Sequence, residues 1–152
     1  MKGKNYTKMS VRVADRSLSR MEYIHNAQQI VFIANERINK YVSKASKKHK
    51  YRQLYKQAQY SVWNAPIYHS QMVYQYCQLA NRERDFNKRL DYLSKASQNL
   101  ALLESSLQTF YNTFKSAIKD KFIMLITEKI DYQYKLLEGC MKYARNISCS
   151  FS

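Results

Sequence analysis

Glycine and proline are almost absent from this chain, which has two glycines and one proline in 152 residues. Sheets and loop-rich folds need many turns, and turns depend on these two residue types. Hydrophobic residues make up 45% of the chain, which is too many for a disordered tail and enough for a real core in a single domain. The sequence therefore predicts one all-α domain of a few long helices joined by short loops.

Four apolar stripes with helical spacing mark the predicted helices. The first stripe comprises Ile24, Ala27, Val31, Ala34, Ile38, Tyr41 and Ala45. The second comprises Ala58, Val62, Ala65, His69, Met72, Tyr76 and Leu79. The third comprises Phe86, Leu90, Leu93, Ala96, Leu100, Leu103, Leu107, Phe110 and Phe114. The fourth comprises Phe122, Ile126, Ile130, Leu137, Met141 and Ala144.

Local signals predict where these helices begin, bend and end. Ser19 and Glu22 have the spacing of a capping box, and Asp85 is placed to cap the third helix. Pro66 predicts a kink or a break in the second helix near Ser61–Val62. Gly139, inside the fourth helix, predicts the close approach of a neighbouring backbone.

Polar segments at 46–50, 81–85 and 112–119 are the predicted loops. Because short loops make successive helices antiparallel, we expect an antiparallel up-down-up-down four-helix bundle over residues 16–146. A basic flexible segment at 1–15 precedes the bundle, and a disordered tail at 147–152 follows it.

The net charge of +15 comes from 26 basic and 11 acidic residues. Residues 1–56 hold 14 basic and three acidic residues, so this part alone carries +11. Such an excess predicts an anionic partner, nucleic acid above all, and favours it over a merely solvated surface or a membrane surface. The candidate nucleic-acid-binding residues are Arg12, Arg16, Arg20, Lys40, Lys44, Lys47, Lys48, Lys50, Arg52, Lys56, Arg82, Arg84, Lys88, Arg89, Lys115, Lys119 and Lys121.

The second predicted helix is rich in tyrosine and has no charged residue between positions 57 and 81. Tyrosine and tryptophan favour protein interfaces, which makes an oligomer or partner interface the first interpretation. Packing within the core and stacking on unpaired bases are the alternatives. The candidate interface residues are Tyr55, Tyr60, Trp63, Tyr68, Tyr74 and Tyr76.

No catalytic or metal-binding pattern stands out in the sequence. The three histidines are isolated, the two Glu-x-x-His motifs that a di-iron bundle needs are not both present, and two glycines cannot form a glycine-rich phosphate loop. We therefore expect no enzyme, no cofactor and no metal site. Three scattered cysteines without a Cys-x-x-Cys pair, and the lack of a signal peptide or membrane span, predict a cytoplasmic protein with reduced thiols.

Two stretches support a family resemblance. The first reads Ala80-Asn81-Arg82-Glu83-Arg84-Asp85, followed by Arg89-Leu90-Asp91-Tyr92-Leu93-Ser94-Lys95-Ala96. It resembles the junction of the second and third helices in the four-helix-bundle family that includes the accessory variability determinants (Avd) of diversity-generating retroelements and the proteins encoded in ribosomal RNA intervening sequences. The second stretch, Leu136-Leu137-Glu138-Gly139-Cys140-Met141-Lys142, looks like the last helix of that family. Helix order and loop placement are similar over roughly residues 18–145.

The resemblance implies a homo-oligomer, typically a basic pentameric barrel. It also implies binding to a retroelement template RNA and to a reverse transcriptase, as a non-enzymatic cofactor of error-prone complementary DNA synthesis. The tyrosine-rich second helix departs from the family pattern, as does the single glycine followed by cysteine. The alternative is an intervening-sequence-type interaction protein that has no reverse transcriptase partner.

Overall fold

The computed structural model describes residues 16–48, 52–57, 60–116, 118 and 121–150, and every regular element in these ranges is an α-helix. The helices are α1 (Arg16–Lys47), α2 (Arg52–Gln57), α3 (Tyr60–Arg82), α4 (Phe86–Phe114) and α5 (Phe122–Ser150). Four of them are long, and no strand occurs in the described part of the chain, so the prediction of an all-α helical bundle is confirmed. The predicted flexible segment at 1–15 lies outside the described residues.

One apolar core joins the four long helices. In α4 the predicted stripe is buried from Leu93 to Phe114, so this prediction is confirmed over most of the helix. In α5 the predicted residues are also buried, except that Met141 is half-buried. In α1, Tyr23 and Ile30 are buried, whereas the stripe predicted the residues that follow them, Ile24 and Val31, which are half-buried.

The core face of α3 is shifted by one position along the chain from the predicted stripe. The buried positions are Pro66, Ile67, Ser70, Val73, Cys77 and Ala80. Leu79, which was expected in the core, is exposed. Most of the buried side chains are small, so α3 can lie close to its neighbours while the larger residues beside them lie nearer the surface.

The helix ends partly match the predicted signals. Asp85 caps α4, since its carboxylate accepts a hydrogen bond from the backbone N–H of Asn87 at 3.1 Å. The capping box is wrong because Ser19 lies inside α1, and the Glu22 carboxylate instead accepts a hydrogen bond from the Tyr132 hydroxyl. The predicted tail from residue 147 is helical as far as Ser150.

A buried polar contact joins α1, α3 and α5. The Tyr23 hydroxyl donates to the carbonyl of Cys77 at 3.2 Å, and the amide of Gln133 donates to the carbonyl of Tyr23 at 2.9 Å. Asn26 donates to the side-chain oxygen of Gln133 at 2.8 Å and to the carbonyl of Lys129 at 2.9 Å. These bonds fix α1 against α5 at one level of the bundle.

Gly139 does not have the packing role predicted for it. A Cβ atom added at this exposed position would have no atom within 4 Å, so no neighbouring backbone requires a glycine there. The residue costs helix stability without a compensating close contact.

Replacing Gly139 by alanine should therefore raise the free energy of unfolding by about 1 kcal/mol, the difference in helix propensity between the two residues. Urea denaturation monitored by circular dichroism measures this change. Glu138→Ala, on the exposed neighbouring residue, is the control and should change stability by less than about 0.5 kcal/mol. A loss of stability in Gly139→Ala would show that the glycine has a packing role after all.

Candidate nucleic-acid interface

Aromatic rings connect the end of α1, the end of α4 and the start of α5. Tyr41 stacks on Phe122 with ring centroids 5.7 Å apart. Phe110 meets Phe122 edge-to-face at 6.5 Å and stacks on Phe114 at 5.1 Å. These rings therefore bring the end of α1, which leads into the first predicted loop, next to the two helices that flank the third predicted loop.

Trp63 extends the same group of rings to α2 and α3. The centroid of its ring lies 6.5 Å from the ring centroid of Phe114, 5.7 Å from that of Tyr55 and 5.6 Å from that of Tyr60. We call the resulting set the aromatic cluster; it comprises Tyr41, Tyr55, Tyr60, Trp63, Phe110, Phe114 and Phe122. It holds five helix segments at one end of the bundle.

Eight of the predicted basic residues lie on the segments that the aromatic cluster brings together. This group, called the basic end below, comprises Lys40, Lys44, Lys47, Lys48, Arg52, Lys56, Lys115 and Lys121. All are exposed except Lys44, which is half-buried. The ammonium of Lys40 lies 5.9 Å from the centroid of the Tyr41 ring.

Acidic residues are missing from the described segments that form this end. Residues 40–48, 52–57, 60–66, 110–116 and 121–126 contain no Asp or Glu. Asp120 is the acidic residue nearest to them in sequence, and it lies outside the described residues. The basic end thus presents a positive surface suited to binding several phosphates.

The remaining predicted basic residues are placed elsewhere. Arg16 and Arg20 belong to the first turns of α1. Arg12, Lys50 and Lys119 lie outside the described residues. Arg82, Arg84 and Lys88 are exposed at the junction of α3 and α4, where Glu83 and Asp85 dilute their charge. The 29 residues of α4 separate this junction from the basic end by about 40 Å.

Arg89 does not belong in the predicted nucleic-acid-binding set. It is only 8% exposed, and its Nε donates to the carbonyls of Ala80 and Glu83 at 3.2 and 3.0 Å. Its Nη2 also donates to the carbonyl of Glu83, at 2.5 Å, and its guanidinium lies 5.1 Å from the Phe86 ring centroid. Arg89 therefore satisfies carbonyls at the end of α3 and is not available to phosphates.

The predicted aromatic interface divides into two groups. Tyr55, Trp63, Tyr74 and Tyr76 are half-buried and pack against the core, as the core interpretation expected. Tyr60 and Tyr68 are 65% and 50% exposed. Only these two remain as tyrosines of the predicted set that a partner could cover extensively.

A polar groove between α1 and α5 was missed from the sequence. It has a volume of about 270 Å³ and is lined by Glu22, His25, Asn26, Gln29, Leu125, Glu128, Lys129 and Tyr132. Its polar groups largely satisfy one another: the ammonium of Lys129 donates to Gln29 at 2.6 Å, and the Gln29 amide is 3.0 Å from the His25 ring nitrogen.

Buried Gln133 lies next to this groove, and the sequence did carry a signal for it. The apolar stripe of α5 skips from Ile130 to Leu137, and a helix must place a residue near position 133 or 134 on the same face. That residue is Gln133, which is completely buried.

Cys77 is a buried cysteine of the core. Burial raises the pKa of the Cys77 thiol, so this group remains protonated at neutral pH. No group of three or more His, Cys, Asp or Glu residues that could hold a metal occurs within the described ranges. None of the described helices is long and apolar enough to cross a membrane.

No protein-family profile, curated protein or solved structure matches this chain.

Arg89→Gln should lower the free energy of unfolding by about 2 kcal/mol, because charge-assisted hydrogen bonds to the carbonyls of Ala80 and Glu83 are lost. Lys88→Gln removes the same charge from the exposed neighbouring position and should cost less than about 0.5 kcal/mol. Chemical denaturation of the two variants measures both changes. Equal effects would contradict the structural role of Arg89.

Proposed function

We propose that this chain is a non-enzymatic RNA-binding accessory protein whose basic end binds the phosphates of the RNA. The observation that carries the proposal is the assembly of eight cations on adjoining helix ends that have no acidic residue among their described positions. Each phosphate that such a surface neutralises releases counterions, which favours binding and makes the affinity strongly dependent on salt.

The proposal includes the up-down-up-down antiparallel topology. Contacts at two levels support it: Asn26 of α1 meets Gln133 of α5, and Tyr41 further along α1 meets Phe122 at the start of α5. Residue numbers thus rise along α1 as they fall along α5. With alternating helices, the first and third loops share the basic end.

Self-assembly of the protein is part of the same proposal, and the outer face of α3 supplies the interface. Tyr68, Gln71, Gln75 and Leu79 are exposed along this face, and no charged residue lies between positions 57 and 81. Chains of net charge +15 repel one another, so an uncharged face is the surface on which they can approach most closely. By the family resemblance, the assembly is a pentamer.

We further propose that the protein acts in the cytoplasm beside a reverse transcriptase. It would support mutagenic complementary DNA synthesis on a retroelement template RNA, as the resemblance to the accessory variability determinants implies. Purification from the native host tests this partnership. Recovery of a reverse transcriptase together with an RNA supports it, whereas RNA without the enzyme favours an intervening-sequence-type interaction protein.

Replacing Lys47, Lys48, Lys115 and Lys121 together by glutamine should weaken RNA binding at least about ten-fold and lower the slope of log affinity against log salt by about three units. Electrophoretic mobility shifts at several salt concentrations measure both quantities. The control replaces Arg82, Arg84, Lys88 and Lys95 by glutamine, which removes the same formal charge at a distance from the basic end. Equal losses in the two variants, or a salt-independent affinity, would contradict binding at the basic end.

The α3 interface predicts a change of mass in solution. Tyr68→Lys combined with Leu79→Lys should convert the assembly to monomers, because two charges would be buried without partners. Multi-angle light scattering measures the mass. Tyr111→Lys, on an exposed tyrosine of α4, is the control and should leave the assembly intact. A monomeric unsubstituted protein at tens of micromolar would overturn the interface.

A further inference from the structure

Tyr60 is an exposed aromatic residue at the edge of the aromatic cluster. Its ring meets that of Trp63 at an interplanar angle of 84°, while 65% of the residue remains accessible to solvent. Its hydroxyl donates to the side-chain oxygen of Asn64 at 3.1 Å, one turn further along the same helix. The ring thus contacts Trp63 and its hydroxyl is hydrogen-bonded to Asn64, yet much of the residue's surface remains exposed.

Two exposed lysines follow directly in sequence the residues that share the Trp63 ring with Tyr60. Trp63 also packs against Tyr55 and Phe114, which are followed directly in the chain by the exposed residues Lys56 and Lys115. The Trp63 indole therefore joins Tyr60 to the helix segments that carry Lys56 and Lys115 at the surface. An apolar ring in this setting is complementary to a ligand that combines flat apolar groups with phosphates.

We propose that Tyr60 stacks on an unpaired base of a single-stranded nucleic acid whose phosphates are held by the basic end. This inference rests on the proposed RNA binding and adds the strand state that the site selects. Phosphate contacts alone do not distinguish a single strand from a duplex. In a duplex the base faces are covered by neighbouring bases, whereas an unpaired base can stack on an aromatic side chain.

Tyr68 is an exposed tyrosine on the same helix that lies outside the aromatic cluster. It is 50% exposed, but it stands eight residues further along α3, about 12 Å away along the helix axis. A second copy of this chain is a poor occupant for Tyr60, because two basic ends repel each other. Phe32 of α1, which is also 65% exposed and belongs neither to the basic end nor to the α3 interface, is the matched control.

The experiment uses the full chain and two probes, a fluorescein-labelled oligouridylate of about 12 nucleotides and an RNA duplex of about 12 base pairs. Fluorescence anisotropy gives the affinity for each probe. Tyr60→Ala should weaken binding of the single strand about ten-fold, equivalent to about 1.4 kcal/mol, and leave the affinity for the duplex within about two-fold. Tyr60→Phe, which keeps the ring, and Phe32→Ala should both bind like the unsubstituted protein.

Trp63 supplies an independent readout, because it is the only tryptophan in the chain and its ring centroid lies 5.6 Å from that of Tyr60. An unlabelled single strand should change the Trp63 emission, and Tyr60→Ala should abolish that change even at saturating RNA. The duplex should leave the emission unaltered. Circular dichroism confirms that each variant remains helical, which the exposure of Tyr60 leads us to expect.

The possible failures are distinguishable. If Tyr60→Ala weakens both probes equally or neither, base stacking is wrong while RNA binding at the basic end stands. If the unsubstituted protein binds neither probe, the proposed function fails and stacking fails with it. An equal anisotropy response to oligodeoxythymidylate of the same length would show that the site recognises unpaired bases without distinguishing RNA from DNA.

Discussion

The packing of aromatic rings around Trp63 and Phe122 is the interaction on which the rest of this surface depends. Positively charged segments from α1, α2, α4 and α5 repel one another when they are brought together, and each aromatic pair offsets this with about 0.5–1.5 kcal/mol beyond the burial of its area. Tyr41, Phe114 and Trp63 belong to three different helices, so the cluster also determines which helix ends become neighbours. Removing the cluster would separate the cations as well as weaken the core.

The second constraint is the buried polar contact among Tyr23, Asn26, Cys77 and Gln133. Hydrogen bonds across helices have directions, and a helix that rotates or slides by one residue leaves amide groups buried without partners. Apolar packing alone tolerates such shifts more readily. This contact and the aromatic cluster therefore fix the register of α1 against α5 at two separate levels, while the basic end lies beyond the second.

The sequence predicted α4 well and α3 poorly, and the presence of charge explains the difference. In α4, charged residues such as Lys88 and Asp91 mark the outer face, so the stripe through Leu93 and Phe110 has one natural interpretation. The stretch from 57 to 81 has no charged residue to mark the outside, and two stripes with the same helical spacing compete. Hydrophobicity favours the larger residues for the core, whereas close packing favours the small side chains one position later.

The candidate site was predictable to a similar degree. Long-range attraction of a polyanion follows from net charge and was accessible from composition, as was the grouping of lysines near the first and third loops. The burial of Arg89 was not, since a basic residue that satisfies helix-end carbonyls has the same sequence signature as one that binds phosphate. The separation of Tyr60 from the half-buried tyrosines also required the structure, because exposure depends on where Trp63 and Phe114 lie.

Electrostatic repulsion links the basic end to the proposed interface on the outer face of α3. At 0.15 M salt the Debye length is about 8 Å, so cations within the basic end repel one another strongly while the junction near Arg84, about 40 Å away, is screened from them. In the proposed assembly, contact between copies through Tyr68 and Leu79 would also bring their basic ends closer. RNA bound across those ends would neutralise the repulsion that opposes assembly. Assembly would in turn offer one strand several sites, so each process would favour the other through the same excess of charge.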